Sequence, residues 1–114
     1  MPLQLQRLTA DIAVAPQLAP EAMAEAAAAG FRSVINNRPD FEGGPNQPTS
    51  HSMEAAARAA GLDYAWLPVA PNLQTGDEIA RFAQLLQTLP KPILAFCRSG
   101  TRSGRLVSAA LAPR

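Results

Sequence analysis

Apolar residues recur along the chain with two periods, one typical of strands and one typical of helices. Short stretches that alternate apolar with polar residues, or that are apolar throughout, predict strands at 12–14, 31–36, 62–69 and 92–97. Longer stretches with helical spacing predict helices at 20–29, 49–60, 75–89 and 102–112. Because strands and helices alternate along the chain, parallel βαβ units are expected. We therefore predict a three-layer α/β domain with a mostly parallel central sheet flanked by helices.

Capping residues support these boundaries. Pro20 suits the first position of the first helix, and Gly30 suits its C-terminal cap. Thr75 and Glu78 have the spacing of a capping box at the start of the third helix, and Pro90 ends that helix. The local signals therefore agree with the apolar pattern.

The strand ends indicate where a ligand would bind. The continuous apolar run 92–97 is typical of a central strand covered on both faces. The segment 37–48 is rich in proline, glycine and asparagine and predicts a long loop, of a length that is usually functional or mobile. Ligands of parallel sheets bind at the carboxyl ends of the strands. We therefore expect residues 36–38, residues 69–71 and Cys97 to meet there.

The composition of the chain argues against several classes of function. The chain has 114 residues, of which 47% are hydrophobic, so one domain over 1–114 is expected to form its own core. Neither a run of about 20 apolar residues nor a signal pattern is present, so we expect a soluble, cytoplasmic protein with no membrane partner. A single cysteine and a single histidine exclude an internal disulfide and a Cys/His zinc site, and no cofactor is expected.

The charge is small but unevenly distributed. A net charge of +1 argues against a nucleic-acid partner, because such domains usually carry a large basic excess. However, no acidic residue follows Glu78, whereas six basic residues do. The last third of the chain is therefore expected to attract small anions.

Residues 97–103, Cys-Arg-Ser-Gly-Thr-Arg-Ser, carry the chemistry, and we call them the anion loop. They lead from the apolar strand into the last helix, where main-chain N–H groups can converge on one anion. Gly100 permits a positive φ, and Arg102 can offer a forked pair of donors to an oxyanion. A thiol at the rim of such a pocket, near a helix N-terminus and arginines, should have a lowered pKa. We therefore predict that Cys97 is a nucleophile.

The remaining residues of the anion loop have smaller expected roles. The hydroxyls of Ser99, Thr101 and Ser103 add hydrogen-bond donors without bulk. Arg98 is expected to point outward and to shape the local potential.

The anion loop resembles the active-site loop of rhodanese-type sulfurtransferases and, less closely, the signature of cysteine-dependent protein phosphatases. Taken with residues 29–40 and 67–69, it resembles the phosphatase-like domain found beside beta-lactamase-like hydrolases in bacteria. Members of that family are labelled either phosphatase or sulfur transferase. The resemblance implies a fold like that of dual-specificity phosphatases.

Departures from the phosphatase signature favour sulfur transfer. Four residues separate Cys97 from Arg102 where that signature has five, and Phe96 stands where it has histidine. Residues 70–72 lack the aspartate that acts as general acid in dual-specificity phosphatases. The first hypothesis is therefore a sulfurtransferase that passes sulfane sulfur through a Cys97 persulfide, with Arg102 and Arg98 positioning a small anionic donor.

Two alternatives remain open. In a phosphatase, a phosphorylated substrate would form a phosphocysteine, Arg102 would hold the oxygens, Ser103 would assist its breakdown, and Asp40 would supply a proton after loop closure. Asp40 is equally well read as a solvated turn residue. Asn37 and Arg38 are expected at the pocket rim, with a surface position favoured for Arg38. The second alternative is a binding module that holds an anion without turnover.

Overall fold

The computed structural model describes residues 3–72 and 74–112. It contains five strands: β1 Gln6–Arg7, β2 Ile12–Ala15, β3 Ser33–Asn36, β4 Asp63–Trp66 and β5 Ile93–Phe96. They form one sheet in the order β1-β2-β5-β3-β4, in which only β1 is antiparallel to its neighbour. The predicted mostly parallel sheet is therefore confirmed, and β5 is its central strand, as expected.

Four helices cover the two faces of the sheet: α1 Ala22–Ala28, α2 Ser50–Ala59, α3 Gly76–Thr88 and α4 Thr101–Leu111. One buried cluster joins α1 and α2 to the sheet through Met23, Met53 and Phe96. A second cluster joins α3 and α4 to the opposite face through Phe82 and Leu106. The two clusters confirm the three-layer arrangement.

Among the helices of residues 3–72 and 74–112, none is both long and apolar enough to cross a membrane. The cytoplasmic location stays a prediction.

Several predicted boundaries differ from the structure by one to three residues, and one strand was not predicted. Helix α1 begins at Ala22, because residues 19–21 form a turn in which Ala22 N–H donates to Ala19 O. Strand β4 ends at Trp66, since Pro68 has no N–H with which to extend a ladder. Strand β1 was not expected, because two exposed residues are too few to show a strand period.

The carboxyl ends of the parallel strands meet as predicted. Asn37 N–H donates to Phe96 O at 2.9 Å, and Cys97 N–H donates to Ala15 O at 3.3 Å. Beyond β4, Val69 N–H donates to Asn37 O at 3.1 Å. The residues that follow β3, β4 and β5 are thereby held together by main-chain hydrogen bonds.

Candidate active site

The anion loop turns sharply at Gly100, directly before α4. Gly100 has φ of +89°, a conformation that favours glycine, so the expected positive φ is confirmed. This turn directs the Gly100 N–H to Cys97 Sγ at 3.1 Å. The main chain therefore folds back over the sulfur atom, as an anion nest requires.

Cys97 lies at the base of this loop, where only 1% of its surface is exposed. The expected position at the pocket rim is wrong, because the residue directly follows the buried central strand β5 and the anion loop folds over its sulfur atom. Burial alone would raise the pKa of the thiol. The N–H and hydroxyl of Ser103 and the N–H groups of Ser99 and Gly100 outweigh burial and bring that pKa below its ordinary value. The thiol pKa is thus shifted in the predicted direction, but by these hydrogen bonds and not by the arginines that the sequence suggested.

Arg102 reaches across the site from the first turn of α4, with 6% of its surface exposed. It forms a fork with Glu42, in which Nη1 lies 3.1 Å from Oε2 and Nη2 lies 3.0 Å from Oε1. Nη1 also donates to Val69 O at 3.1 Å. The Nε atom is buried and has no hydrogen-bond partner among the described residues. A buried guanidinium N–H without a partner is costly unless a ligand supplies an acceptor.

The covalent geometry of the guanidinium shows which donors remain free on Arg102. The fork to Glu42 uses the outer Nη1/Nη2 edge, and Val69 O takes the other Nη1 hydrogen. The Nε–H and the second Nη2–H lie side by side on the remaining edge. That edge offers two parallel donors, which is the arrangement that binds two oxygens of a carboxylate or phosphate.

Arg38 lies inside the molecule and not on its surface. Only 8% of its surface is exposed, and the expected surface position is therefore wrong. Nε donates to Glu42 Oε1 at 2.9 Å and Nη1 donates to Gln17 Oε1 at 3.0 Å. These acceptors draw the guanidinium inward from the end of β3.

Glu42 is the site residue that sequence reasoning missed. Its carboxylate joins Arg38 to Arg102 and its side chain is 19% exposed. Burial raises the pKa of this carboxyl, whereas hydrogen bonds from Arg102 and from Arg38 lower it. The lowering is the larger effect, so the pKa of Glu42 lies below its ordinary value. The signal in the sequence was a carboxylate four residues after Arg38.

Asn37 is fully buried and anchors the anion loop, so its expected place at the rim is wrong. Its Nδ2 donates to Leu67 O at 3.0 Å, and its Oδ1 accepts a 2.9 Å hydrogen bond from Ser103 Oγ. Both partners hold the amide in one orientation at the meeting point of the strands. Asn37 therefore fixes the first turn of α4 against the end of β3.

The loop 37–48 is braced by its own side chains. Asp40 Oδ1 accepts from Ser50 N at 2.7 Å at the start of α2. Gln47 accepts from Gly43 N at 2.7 Å and donates to Pro39 O at 2.8 Å. One oxygen of Asp40 is thus already engaged as a helix cap, and the general-acid assignment of this residue stays a prediction.

The exposed residues of the anion loop face away from the thiol. Ser99 Oγ donates to Thr101 Oγ1 at 3.2 Å, and both residues line an open groove of about 780 Å³ whose lining includes neither Cys97 nor Arg102. Arg98 is exposed, as expected. The donors that face the sulfur are therefore main-chain N–H groups and Ser103, and not the hydroxyls of Ser99 and Thr101.

Comparison with solved structures gives close matches to the whole fold. A Neisseria meningitidis protein described as a candidate phosphatase superposes with a TM-score of 0.83 at 29% identity, over 90% of this chain and 72% of that chain. A Shewanella putrefaciens protein with the same description gives a TM-score of 0.77 at 21% identity, over 93% and 66% respectively. The fold is that of the dual-specificity and tyrosine phosphatases, as the resemblance implied.

Comparison of sequences gives the family. A beta-lactamase hydrolase-like protein of Xylella fastidiosa is 45% identical over 74 residues, which are 65% of this chain and 17% of that protein. The chain thus spans only a small part of the curated relatives that it matches. The family described as beta-lactamase hydrolase-like protein, phosphatase-like domain, matches residues 4–113. The chain therefore belongs to the phosphatase-like domain family of beta-lactamase hydrolase-like proteins.

Proposed function

We propose that this chain is a cysteine-dependent phosphatase that hydrolyses phosphoesters with good leaving groups. The observation that carries the proposal is the free Nε/Nη2 edge of Arg102, in the same loop as the Cys97 thiol of lowered pKa. A phosphoryl group can place two oxygens on that edge while its phosphorus faces the sulfur. The length of the anion loop favoured a sulfurtransferase. Membership of a phosphatase-like family instead supports the phosphatase.

The reaction would proceed in two displacements at phosphorus. The Cys97 thiolate attacks, a sulfur–phosphorus bond forms, and the bond to the leaving oxygen breaks with its electron pair. The leaving oxyanion takes a proton from solvent. Water then attacks the phosphocysteine, loses a proton to solvent, and releases inorganic phosphate as the sulfur–phosphorus bond returns its electrons to sulfur. The low thiol pKa makes Cys97 a good leaving group in this second step.

Because no free general acid is evident beside Cys97 in the part of the chain that the structure describes, the expected substrates are esters whose alcohol departs readily as an anion. Residues 70–72 carry no acid, and Asp40 has one oxygen bonded to Ser50 N. A positioned general acid contributes roughly 10²–10⁴-fold when the leaving group is a poor one. Aryl phosphates, including phosphotyrosine, need that help least. We therefore expect aryl phosphates to react much faster than alkyl phosphates.

Sulfur transfer is the second candidate, and the same shortage of acid favours it. The Cys97 thiolate would attack the sulfane sulfur of an anionic donor, form a persulfide and release the donor's remaining anion. An acceptor thiolate or cyanide would then take the outer sulfur and regenerate the thiolate. Neither step requires protonation of an alkoxide, so the arrangement around Cys97 is compatible with it.

A parallel assay tests both candidates on one preparation. Purified protein is given para-nitrophenyl phosphate and phosphoserine, and separately thiosulfate with cyanide and glutathione persulfide with a thiol. The proposal predicts release of phosphate from the aryl ester that depends on Cys97 and is lost in Cys97→Ser. Cys97-dependent transfer of sulfur with no release of phosphate would replace the phosphatase by the sulfurtransferase.

Two arginine variants separate the anion clamp from general charge effects. Arg102→Ala removes the free donor edge and should lower kcat/KM for the aryl phosphate by about two to three orders of magnitude. Arg81→Ala removes an exposed arginine of α3 and should leave kcat/KM unchanged. Equal losses in the two variants would contradict a specific role for Arg102.

A further inference from the structure

We infer that Glu42 is a positioning residue, which holds Arg102 so that its Nε/Nη2 edge is presented to the bound oxyanion. The identity of that oxyanion as a phosphoryl group rests on the function proposed above. The ion pair itself is a property of the loop 37–48 and of α4, which are 60 residues apart in the chain. Glu42 would thus act through Arg102, without touching the substrate.

The contacts of Glu42 fix the guanidinium in its plane. Both carboxylate oxygens are used, one at 3.1 Å from Nη1 and the other at 3.0 Å from Nη2. A two-point contact of this kind prevents rotation about the axis of the side chain, which a single hydrogen bond would allow. Val69 O adds a third fixed acceptor at 3.1 Å from Nη1. The direction of the free edge is therefore set before any ligand arrives.

Glu42 is itself held in place from the other side. Arg38 Nε lies 2.9 Å from Glu42 Oε1, and Gln17 in turn accepts from Arg38 Nη1. Gly43 allows this close packing, because a Cβ at that position would lie 2.6 Å from Arg38 Nη2. The carboxylate thus has two cationic partners and cannot follow Arg102 if the latter moves.

The same geometry argues against Glu42 as an internal blocker of the anion site. A blocker would occupy the donors that the oxyanion needs and would have to leave when the oxyanion binds. Glu42 instead takes the Nη1/Nη2 edge and leaves Nε and one Nη2 hydrogen free. Removal of the carboxylate should therefore weaken anion binding, whereas removal of a blocker would strengthen it.

Binding of inorganic phosphate tests this inference independently of turnover. Because Cys97 is the only cysteine, its alkylation by iodoacetamide reports on one site, and protection by phosphate gives a Kd. In Glu42→Gln the Kd for phosphate should rise about ten-fold, while alkylation without phosphate changes little. Glu42→Asp keeps the charge but shortens the reach, and its Kd should lie between those of wild type and Glu42→Gln.

The matched control is Glu54→Gln, which removes the carboxylate of an exposed ion pair with Arg58 and should leave the Kd for phosphate unchanged. Circular dichroism verifies the fold of each variant. If Glu42→Gln does not fold, the Kd of Glu42→Asp for phosphate is the test of the inference. An unchanged or lower Kd in a folded Glu42 variant would overturn the inference, as would wild-type protein that phosphate does not protect.

Failure of the inference and failure of the proposed function give different results. Wild-type protein that hydrolyses an aryl phosphate, with Glu42 variants that bind phosphate normally, would remove the inference and leave the phosphatase. Protein that turns over no phosphoester, yet binds phosphate in a way that depends on Glu42, would leave the inference and remove the phosphatase.

Discussion

Ser103 Oγ donates a 2.9 Å hydrogen bond to Asn37 Oδ1, and this bond joins the first turn of α4 to the end of β3. Both side chains are fully buried. A hydroxyl has only one proton, so Ser103 can give it either to Asn37 or to the sulfur of Cys97. The first arrangement suits the neutral thiol, and the second suits the thiolate. Ser103 therefore connects the structural anchor of the loop with the charge on the nucleophile.

Ser103→Ala should raise the pKa of the Cys97 thiol. The main-chain N–H of residue 103 remains, so only the contribution of the hydroxyl is lost. A hydrogen bond to a charged group contributes about 1.5–3 kcal/mol, which corresponds to an increase of about one to two pKa units. The pH dependence of iodoacetamide alkylation measures this change. Ser108→Ala, at an exposed position of the same helix, is the control, and an unaltered midpoint in Ser103→Ala would contradict the assignment.

Stability at acid pH should depend on Glu42. Its carboxyl has a folded pKa below the ordinary value of 4.5, so the folded state binds fewer protons than the unfolded state in that range. The stabilisation is complete above pH 4.5 and is lost as the pH falls through the folded pKa. Urea unfolding at a series of pH values should show a steeper loss below pH 4.5 in wild type than in Glu42→Gln. If the free energy of unfolding changed with pH in the same way in both proteins, the carboxylate of Glu42 would not contribute to the pH dependence of stability.

Gly100→Ala should destabilise the protein, whereas Gly104→Ala should stabilise it. An added Cβ at Gly100 meets ordinary contacts, so the cost comes from φ of +89° and amounts to about 1–2 kcal/mol. Gly104 lies inside α4 with open space around it, and alanine there should contribute about 0.5–1 kcal/mol. The free energy of unfolding in urea measures both changes. Equal changes in the free energy of unfolding for the two variants would mean that the positive φ of residue 100 does not disfavour alanine there.

Gly43→Ala should weaken phosphate binding through Arg38. The new Cβ would lie 2.6 Å from Arg38 Nη2 and 3.1 Å from Gln47 Oε1, so the guanidinium must move away from Glu42. Overpacking of this kind costs about 1–3 kcal/mol of stability. Gly76→Ala, which meets open space at the start of α3, is the matched control. Protection of Cys97 by phosphate, measured in both variants, should decrease only in Gly43→Ala.

Much of the fold follows from the sequence, because its signals are local. Alternating residues at 33–36 and a continuous apolar run at 93–96 were sufficient to place β3 and β5, and proline and glycine marked the ends of the helices. The anion loop was also recognisable, since its glycine, serines and arginines lie within a few residues. The two-residue strand β1 has no period to detect and was missed.

The errors at the site concern contacts that only the tertiary structure defines. Arg38 was expected on the surface, since nothing near it in sequence indicates that Gln17 supplies an acceptor on the inner side. Asn37 was expected at the rim, but it is a buried partner of Ser103, 66 residues away. Glu42 was missed because its second arginine belongs to α4. Side-chain networks that join distant segments leave no periodic pattern in the sequence.

Mass spectrometry of the protein, after rapid acid quenching during turnover of an aryl phosphate, tests directly for the phosphocysteine intermediate. A phosphatase that acts through Cys97 carries one added phosphoryl group on the peptide that contains this residue, and Cys97→Ser carries none. Release of phosphate without this adduct, or with an adduct on another residue, would contradict this mechanism.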